Sequence, residues 1–279
     1  MTTAVEPKGH TIEAQGLRFR YVEWGEPDAP PILLLHGISS MGRIWDPLAR
    51  ALLDRYRLIA VDQRGHGDTS WPSEADYSTD DYVADLEALT EAWGIDRFAL
   101  IGLSMGGHNA MAFASRHPER ITHLVPIDIR PGFDFERRPT RELEKYTADH
   151  GHASFEDHDA ALRVMRLTNQ TTPDDALSHR LSYLLKRLPD GRWTFKHDPR
   201  VSYHWRPADL WEEIQKISSP VLVVRGGKSQ VFSERAAERM RGTFAKAELI
   251  TIEQASHTVP EDTRDEFIDA VRGFLERYP

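Results

Sequence analysis

Cysteine is absent from this sequence of 279 residues. Its absence excludes disulfides, thiolate nucleophiles, iron–sulfur clusters and cysteine-based zinc sites, and it leaves the redox compartment undetermined. Any catalytic nucleophile must therefore come from a residue without a thiol.

Long apolar runs and an excess of positive charge are also missing. No apolar run approaches the roughly 18 residues of a membrane-spanning helix, and the first nine residues lack the apolar segment of a secretory signal. We therefore expect no membrane span and a cytoplasmic location.

The formal net charge is -9, whereas sequence-independent binding of nucleic acid needs clustered lysine and arginine. No nucleic-acid partner is expected.

Sequence motifs for cofactors and metals are not found either. There is no G-x-G-x-x-G after a strand, no P-loop and no H-E-x-x-H. His150, His152 and His158 lie near one another without the ligand spacing of a helical metal site, and we interpret them as surface residues. The sequence thus predicts no cofactor and no metal.

Short apolar runs alternate with longer amphipathic segments from Leu17 onward and predict an α/β fold, in which crossover helices join parallel strands. The expected strands are Ile32–Leu35, Leu58–Val61, Phe98–Ile101, Ile121–Val125, Pro220–Arg225 and Glu248–Ile252. Pro126 has no N–H for a ladder, so the strand before it is expected to end there. Ser78 and Asp81 predict a capping box for the helix between the second and third strands.

The strand pattern is interrupted after Gly132 and resumes with Pro220. Within the interruption, Thr172-Pro173-Asp174-Asp175 predicts the start of a helix with one apolar stripe, formed by Leu177, Leu181, Leu184 and Leu188. We interpret residues 132–207 as a helical cap that is inserted into a core of residues 1–131 and 208–279.

The segment Gly102-Leu103-Ser104-Met105-Gly106 matches G-x-S-x-G after a predicted strand and before an alanine-rich helix. In that context a sharp turn projects Ser104 at a helix N-terminus, and the glycines let backbone segments approach closely. The alternative is a strand-to-helix turn whose serine only caps the helix. The pattern alone does not decide between the two.

Three further segments favour the first interpretation. His36-Gly37 follows one apolar strand, Asp62-Gln63-Arg64-Gly65-His66-Gly67 follows the next, and Ala255-Ser256-His257 lies between the last strand and the last helix. Together with the Ser104 turn, these segments resemble the α/β-hydrolase family, from about Leu17 to Leu275 and most weakly across the insertion. The resemblance implies a mostly parallel, doubly wound sheet with a helical cap.

The resemblance also implies a site with Ser104 as the nucleophile and His257 as its base. In the family, the turn after the third strand and the residue after the nucleophile supply two oxyanion donors, which here are the backbone N–H groups of Ile38 and Met105. The segment Asp62–Gly67 is interpreted as structural, because its glycines suit a tight turn and its charged groups can tie loops together.

The acid of the family commonly follows the seventh strand, but residues 226–231 contain no carboxylate, and Glu234 is expected to open the next helix. A known variation places the acid after the sixth strand, where Asp128 lies, and keeps the order Ser, Asp, His. There it would orient His257 and stabilise its imidazolium. Alternatively, Asp128 pairs with Arg130 or caps its own loop.

These residues predict a serine hydrolase that cleaves carboxylic esters of small or medium-sized substrates through an acyl-enzyme. Lactone opening or carbon–carbon bond hydrolysis uses the same triad, so the expected partner is a small-molecule ester or lactone. Haloalkane dehalogenation is disfavoured, because relatives with that activity have an aspartate nucleophile. A non-catalytic ligand-binding protein and, more weakly, an adaptor are the alternatives. A monomer or homodimer is expected.

Overall fold

Residues 5–132 and 153–278 are described by the structure, a computed structural model. In chain order, its strands and helices are β1 (Lys8–Ala14), β2 (Leu17–Trp24), β3 (Pro31–Leu35), α1 (Asp46–Leu52), β4 (Arg57–Val61), β5 (Tyr77–Ser78), α2 (Thr79–Ala92), β6 (Phe98–Leu103), α3 (Met105–Arg116), β7 (Ile121–Ile127), β8 (Ser154–Phe155), α4 (His158–Thr168), α5 (Asp174–Leu184), β9 (Leu185–Arg187), β10 (Trp193–Phe195), α6 (Val201–His204), β11 (Trp205–Arg206), β12 (Val221–Gly226), α7 (Glu234–Thr243), β13 (Ala247–Ile252), α8 (Val259–Asp262) and α9 (Arg264–Arg277).

The central sheet joins eight of these strands in the order β1-β2-β4-β3-β6-β7-β12-β13. The pairs β1–β2 and β2–β4 are antiparallel, and the other neighbours are parallel. The predicted mostly parallel sheet is therefore confirmed. Because parallel strands end at the same edge, the loops that follow β3, β6, β7, β12 and β13 share one side of the sheet, which is where ligands bind in open α/β sheets.

Hydrophobic side chains attach helices to both faces of this sheet. On β3, Leu33 and Leu35 belong to a core with α2, α3 and α7, whereas Ile32 and Leu34 belong to a second core with α1 and α9. This alternation follows from the two-residue period of a strand. A sheet that is covered on both faces by helices is doubly wound, as predicted.

Strand β7 continues through Pro126 to Ile127, so the expectation that it ends before Pro126 is wrong. The N–H groups of Leu124 and Asp128 both donate to carbonyls on the β12 side. Residue 126 lies midway between them, so its N–H would also face β12. Because proline has no N–H, one hydrogen bond to β12 is missing. Its pairing with Gly102 of β6 persists, and one omitted bond does not end a strand buried between two neighbours.

Two helices, α2 and α7, begin where the sequence predicts them to begin. At the start of α2, Ser78 Oγ accepts a hydrogen bond from the Asp81 N–H at 3.2 Å, and the Asp81 carboxylate accepts one from the Ser78 N–H at 2.8 Å. The predicted capping box is therefore confirmed. Glu234 is the first residue of α7, as expected. Among the helices of the described ranges, none is long and apolar enough to cross a membrane.

The inserted part of the chain contains short strands as well as helices. Strands β8, β10 and β9 form a small antiparallel sheet, so the expectation that strands disappear after Gly132 is wrong. Each has only two or three residues, too few to show the alternation that marks a strand in a sequence. Leu188 is also not part of the predicted helical stripe, because α5 ends at Leu184 and the chain turns into β9.

The predicted cap lies partly outside the described residues, because residues 133–152 are among those that the structure does not describe. In the described part, α4 and α5 share a hydrophobic cluster with Met41 from the loop after β3. The insertion thus contacts the edge of the sheet where the predicted site residues lie. Its boundaries as a separate cap domain stay a prediction.

We predict that Gly106→Ala lowers the free energy of unfolding. A Cβ atom on Gly106 would lie 2.3 Å from the Leu35 carbonyl oxygen and 2.6 Å from that of His36, both of which are backbone atoms. Relieving this overlap requires α3 to move from the end of β3, at a cost of about 1 to 3 kcal/mol. Chemical denaturation measures the change.

The matched control is Gly242→Ala in α7, where the added Cβ would have no atom within 4 Å of it. Alanine is favoured over glycine in a helix by roughly 0.5 to 1 kcal/mol, so this variant should be as stable as the wild type or slightly more so. Equal stability of the two variants would contradict the close approach of β3 and α3.

Candidate active site

A sharp turn joins β6 to α3 at Ser104, whose backbone has φ 52° and ψ -119°. This left-handed conformation is strained for a residue with a side chain, and such strain is concentrated at functional sites. The turn is held by a hydrogen bond of 2.9 Å from the Ser104 N–H to the Ile127 carbonyl. The Ser104 side chain makes no capping hydrogen bond with α3, so the alternative of a serine that only caps the helix is wrong.

The loop after β3 lies directly against this turn. A Cβ atom on Gly37 would be 3.3 Å from the Ser104 Cβ. The next residue, Ile38, is half-buried and packs on a cluster that includes Met105. The structure thus brings together Ser104 and the two residues whose N–H groups were predicted as oxyanion donors.

Buried His36 fixes the start of this loop through both of its ring nitrogens. Nδ1 is 2.7 Å from the Gly37 carbonyl, and Nε2 is 3.0 Å from the backbone N–H of Gln63. A carbonyl can only accept and an N–H can only donate, so the ring is neutral with its proton on Nδ1. Burial lowers the pKa of His36 to about 4.

Gln63 and Asn109 extend this network, and sequence reasoning missed both roles. The Gln63 amide donates to the His36 carbonyl at 2.6 Å and accepts from the Asn109 amide at 2.9 Å. The network therefore links the loop after β3, the loop after β4 and helix α3. Residues 46 apart in the chain share a buried hydrogen bond here, and no local pattern signals such a pair.

The remaining charged groups of the loop after β4 also bind backbone and side chains around them. The Asp62 carboxylate accepts hydrogen bonds from the N–H groups of Gly42 and Asp68, and burial raises its pKa to about 6. Arg64 forms two hydrogen bonds of 2.6 Å with Asp85 of α2. These contacts agree with the interpretation of Asp62–Gly67 as a structural segment.

Asp128 and His257 meet at the ends of β7 and β13. The Asp128 side chain is fully buried, and its Oδ2 lies 2.7 Å from Nδ1 of His257. The same carboxylate accepts hydrogen bonds from the Gly226 N–H at 3.0 Å and from Ser229 Oγ at 2.5 Å. The backbone of Asp128 has φ 48°, a second strained position. The three hydrogen-bond donors to this carboxylate, from His257, Gly226 and Ser229, all lie outside the loop of Asp128.

The loop that carries His257 is tied to the insertion through Asp262. This carboxylate accepts hydrogen bonds from the Ser256 N–H at 2.7 Å and from the hydroxyls of Thr171 and Thr172 at 2.8 and 2.5 Å. Sequence reasoning missed this role, because Asp262 and the two threonines are about ninety residues apart in the chain.

The two halves of the predicted site are connected through β7, because Ser104 is bonded to Ile127 and Asp128 is the next residue. The ring of His257 is seen with Asp128 as its hydrogen-bond partner. A contact between Ser104 Oγ and Nε2 of His257 stays a prediction. In residues 5–132 and 153–278, no group of three or more histidine and carboxylate side chains could hold a metal ion.

The family is identified by a match to the model described as "alpha/beta hydrolase fold", over residues 30–263. The chain belongs to the α/β-hydrolase fold family. It is 27% identical to 2-(acetamidomethylene)succinate hydrolase of Mesorhizobium japonicum, over 88% of each chain. It is 29% identical to esterase YbfF of Escherichia coli, over 88% of this chain and 92% of the relative.

A solved structure supports the same family assignment. The crystal structure of E-2-(acetamidomethylene)succinate hydrolase superimposes with a TM-score of 0.85 at 25% identity, over 97% of this chain and 100% of the other. The predicted fold family is confirmed, and so is a hydrolase function at that coarse level. The relatives act on different compounds, so membership of the family does not select the bond that this α/β-hydrolase cleaves.

We predict that His36 makes the fold less stable as the pH falls from about 6.5 to about 4. The unfolded imidazole has a pKa near 6.5, whereas the folded one is protonated only near 4. The unfolded chain binds the extra proton in this window, so the free energy of unfolding decreases with decreasing pH, by up to about 3 kcal/mol for one group.

Urea denaturation at a series of pH values between about 7 and 4.5 tests this. His36→Asn should give a shallower loss of stability than the wild type, since asparagine takes up no proton. His204→Asn, at a histidine outside the buried network of His36, is the matched control and should keep the wild-type slope. Identical slopes for all three proteins would contradict the prediction.

Proposed function

We propose that this α/β-hydrolase is a serine hydrolase that cleaves carboxylic ester bonds of small or medium-sized molecules. The nucleophile would be Ser104, the general base His257 and the orienting acid Asp128. The observation that carries the proposal is the hydrogen bond of 2.7 Å from Nδ1 of His257 to buried Asp128, at the same sheet edge as the strained Ser104 turn.

The carboxylate of Asp128 determines which nitrogen of His257 is available for catalysis. An ionised carboxylate only accepts hydrogen bonds, so the ring donates from Nδ1 and leaves Nε2 as the acceptor. In acylation, Nε2 takes the proton of Ser104 Oγ while that oxygen attacks the ester carbonyl. The imidazolium that forms is stabilised by Asp128, which keeps its own charge.

The attack converts the ester carbonyl oxygen into an oxyanion. In the proposed mechanism, the backbone N–H groups of Ile38 and Met105 donate to this oxygen. The tetrahedral intermediate collapses when the alcohol leaves with the proton from His257. A water molecule then gives a proton to His257 and attacks the acyl-enzyme, and the return of that proton to Ser104 releases the acid. Loss of one preorganised oxyanion donor typically lowers turnover by about 100- to 1,000-fold.

The choice of an ester is supported by the relation to esterase YbfF. Lactone opening and carbon–carbon bond hydrolysis would use the same groups. In this proposal, residues 132–207 form a cap over the core of residues 1–131 and 208–279 and shape the acyl pocket. A small-molecule ester or lactone as substrate, a monomer or homodimer, and a cytoplasmic location stay predictions.

We expect a fluorophosphonate probe to label the protein at Ser104. The probe phosphonylates an activated serine and releases fluoride, so labelling requires both the nucleophile and its base. Ser104→Ala should abolish labelling and the hydrolysis of a short activated ester. Ser115→Ala, at the other end of α3, should retain both. A folded wild-type protein that is not labelled would favour a non-catalytic ligand-binding protein instead.

We further expect Asp128→Asn to lower kcat for the same ester by on the order of 10³- to 10⁴-fold, because an amide at this place does not select the required tautomer of His257. Steady-state kinetics measure the effect. Asp80→Asn, at an exposed carboxylate of α2, is the control and should be unchanged. Wild-type kinetics of Asp128→Asn would exclude Asp128 as the acid.

A further inference from the structure

Ser229 lies in the loop after β12 and makes a side-chain contact with the proposed triad. Its Oγ donates to Asp128 Oδ2 at 2.5 Å, and this is the oxygen that also lies 2.7 Å from Nδ1 of His257. The other carboxylate oxygen, Oδ1, accepts from the backbone N–H of Gly226. Two side-chain donors therefore share one oxygen of the buried acid.

The direction of the Ser229 hydroxyl is set by a second hydrogen bond. The backbone N–H of Val231 donates to Ser229 Oγ at 3.1 Å. An N–H cannot accept, so the hydroxyl must accept from Val231, and its own hydrogen is left to point at Asp128. Ser229 is thus oriented as a donor to the carboxylate.

The backbone of this loop is fixed against the neighbouring strand and the loop of His257. Gly227 donates to Ile252 and Lys228 donates to Ala255, both at 2.8 Å, and the Ser229 N–H donates to Gly226 at 3.1 Å. A loop with these bonds keeps the Ser229 side chain at one place relative to His257. The hydrogen bond from Ser229 to Asp128 is therefore part of a network that joins the ends of β7, β12 and β13.

We propose that Ser229 is a positioning residue of the triad, whose hydroxyl holds the Asp128 carboxylate toward His257 and limits how strongly that carboxylate stabilises the imidazolium. The inference rests on the proposed function of the triad. A hydrogen bond to a carboxylate stabilises its negative charge. The hydrogen bond from Ser229 to Oδ2 therefore weakens the electrostatic interaction of this oxygen with the protonated ring of His257.

The consequence for the base has a definite sign. Without the hydroxyl, Asp128 interacts more strongly with the protonated ring, so the pKa of His257 rises and the ring is protonated over a wider pH range. The carboxylate also loses one of the bonds that fix its orientation. We expect Ser229→Ala to raise the pKa of His257 and to lower kcat several-fold at the plateau of the pH profile.

The test uses NMR titration of the full protein with ¹³C-labelled histidine, in which the His257 signal is assigned by its absence from His257→Asn. This readout does not depend on a known substrate. Ser229→Thr keeps the hydroxyl and should restore the wild-type pKa. The other charged residues of the three loops, Arg130, Lys228 and Glu253, and Asp262 at the end of α8, are the same in all of these proteins.

Ser233→Ala is the matched control. Ser233 caps α7 by accepting a hydrogen bond from the Ala236 N–H, so its loss lowers the melting temperature without touching Asp128. If Ser229 had only a structural role, Ser229→Ala would resemble this control, with a lower melting temperature and an unchanged pKa of His257. That result would overturn the inference.

Asp128→Asn separates failure of the inference from failure of the triad. Loss of the carboxylate charge should lower the pKa of His257. If Asp128→Asn lowers that pKa and Ser229→Ala leaves it unchanged, the triad stands and the role of Ser229 is excluded. If neither substitution moves it, the coupling of Asp128 to His257, and with it the proposed function, is contradicted as well.

Discussion

The buried carboxylate of Asp128 must accept hydrogen bonds, and this requirement joins the ends of three adjacent strands. A charged group removed from water is costly unless donors surround it. Here Gly226 is the last residue of β12, Ser229 follows this strand, and His257 follows β13. Removing one donor would leave part of a buried charge without a partner, so the three loops depend on one another. The sheet order β7-β12-β13 makes this arrangement possible.

The same strand also supports the Ser104 turn. Ile127 accepts a hydrogen bond from the Ser104 N–H, and the next residue, Asp128, donates its own N–H to Val224 of β12. Both Ser104 and Asp128 have positive φ angles, which cost about 1 to 3 kcal/mol each. The buried strands on either side stabilise the turn and the loop in these conformations. Rigidity of the sheet is therefore what allows two strained residues to lie side by side.

Much of this architecture could be predicted because its signals are local. The Ser104 turn needs two glycines close to the nucleophile, and the capping box of Ser78 and Asp81 lies within four residues. The position of Asp128 beside His257 could be predicted from the resemblance to the family, in which a known variation places the acid after the sixth strand; residues 226–231 contain no carboxylate. Periodicity identified the strands of the parallel sheet, since each is long enough to form a continuous apolar run.

What sequence reasoning missed depends on partners far apart in the chain. The sequence predicts a strand end at Pro126, although in the folded sheet proline removes only one hydrogen bond from a strand that is paired on both sides. The short strands β8, β9 and β10 exist because they pair with one another, and two or three residues carry no periodic signal. The link from Asn109 through Gln63 to His36 likewise needs the folded sheet before its members meet.

The insertion is linked to the His257 loop by a carboxylate rather than by apolar contact alone. Asp262 holds the N–H of Ser256, the residue before His257, and also the hydroxyls of Thr171 and Thr172. Separating these threonines from Asp262 would remove two hydrogen bonds from a largely buried charge, which is costly without replacement by water. The order of the His257 loop is therefore coupled to the position of the inserted segment, even though the two are far apart in sequence. Thr171 and Thr172 of the inserted segment thus also help to fix the loop of the proposed base.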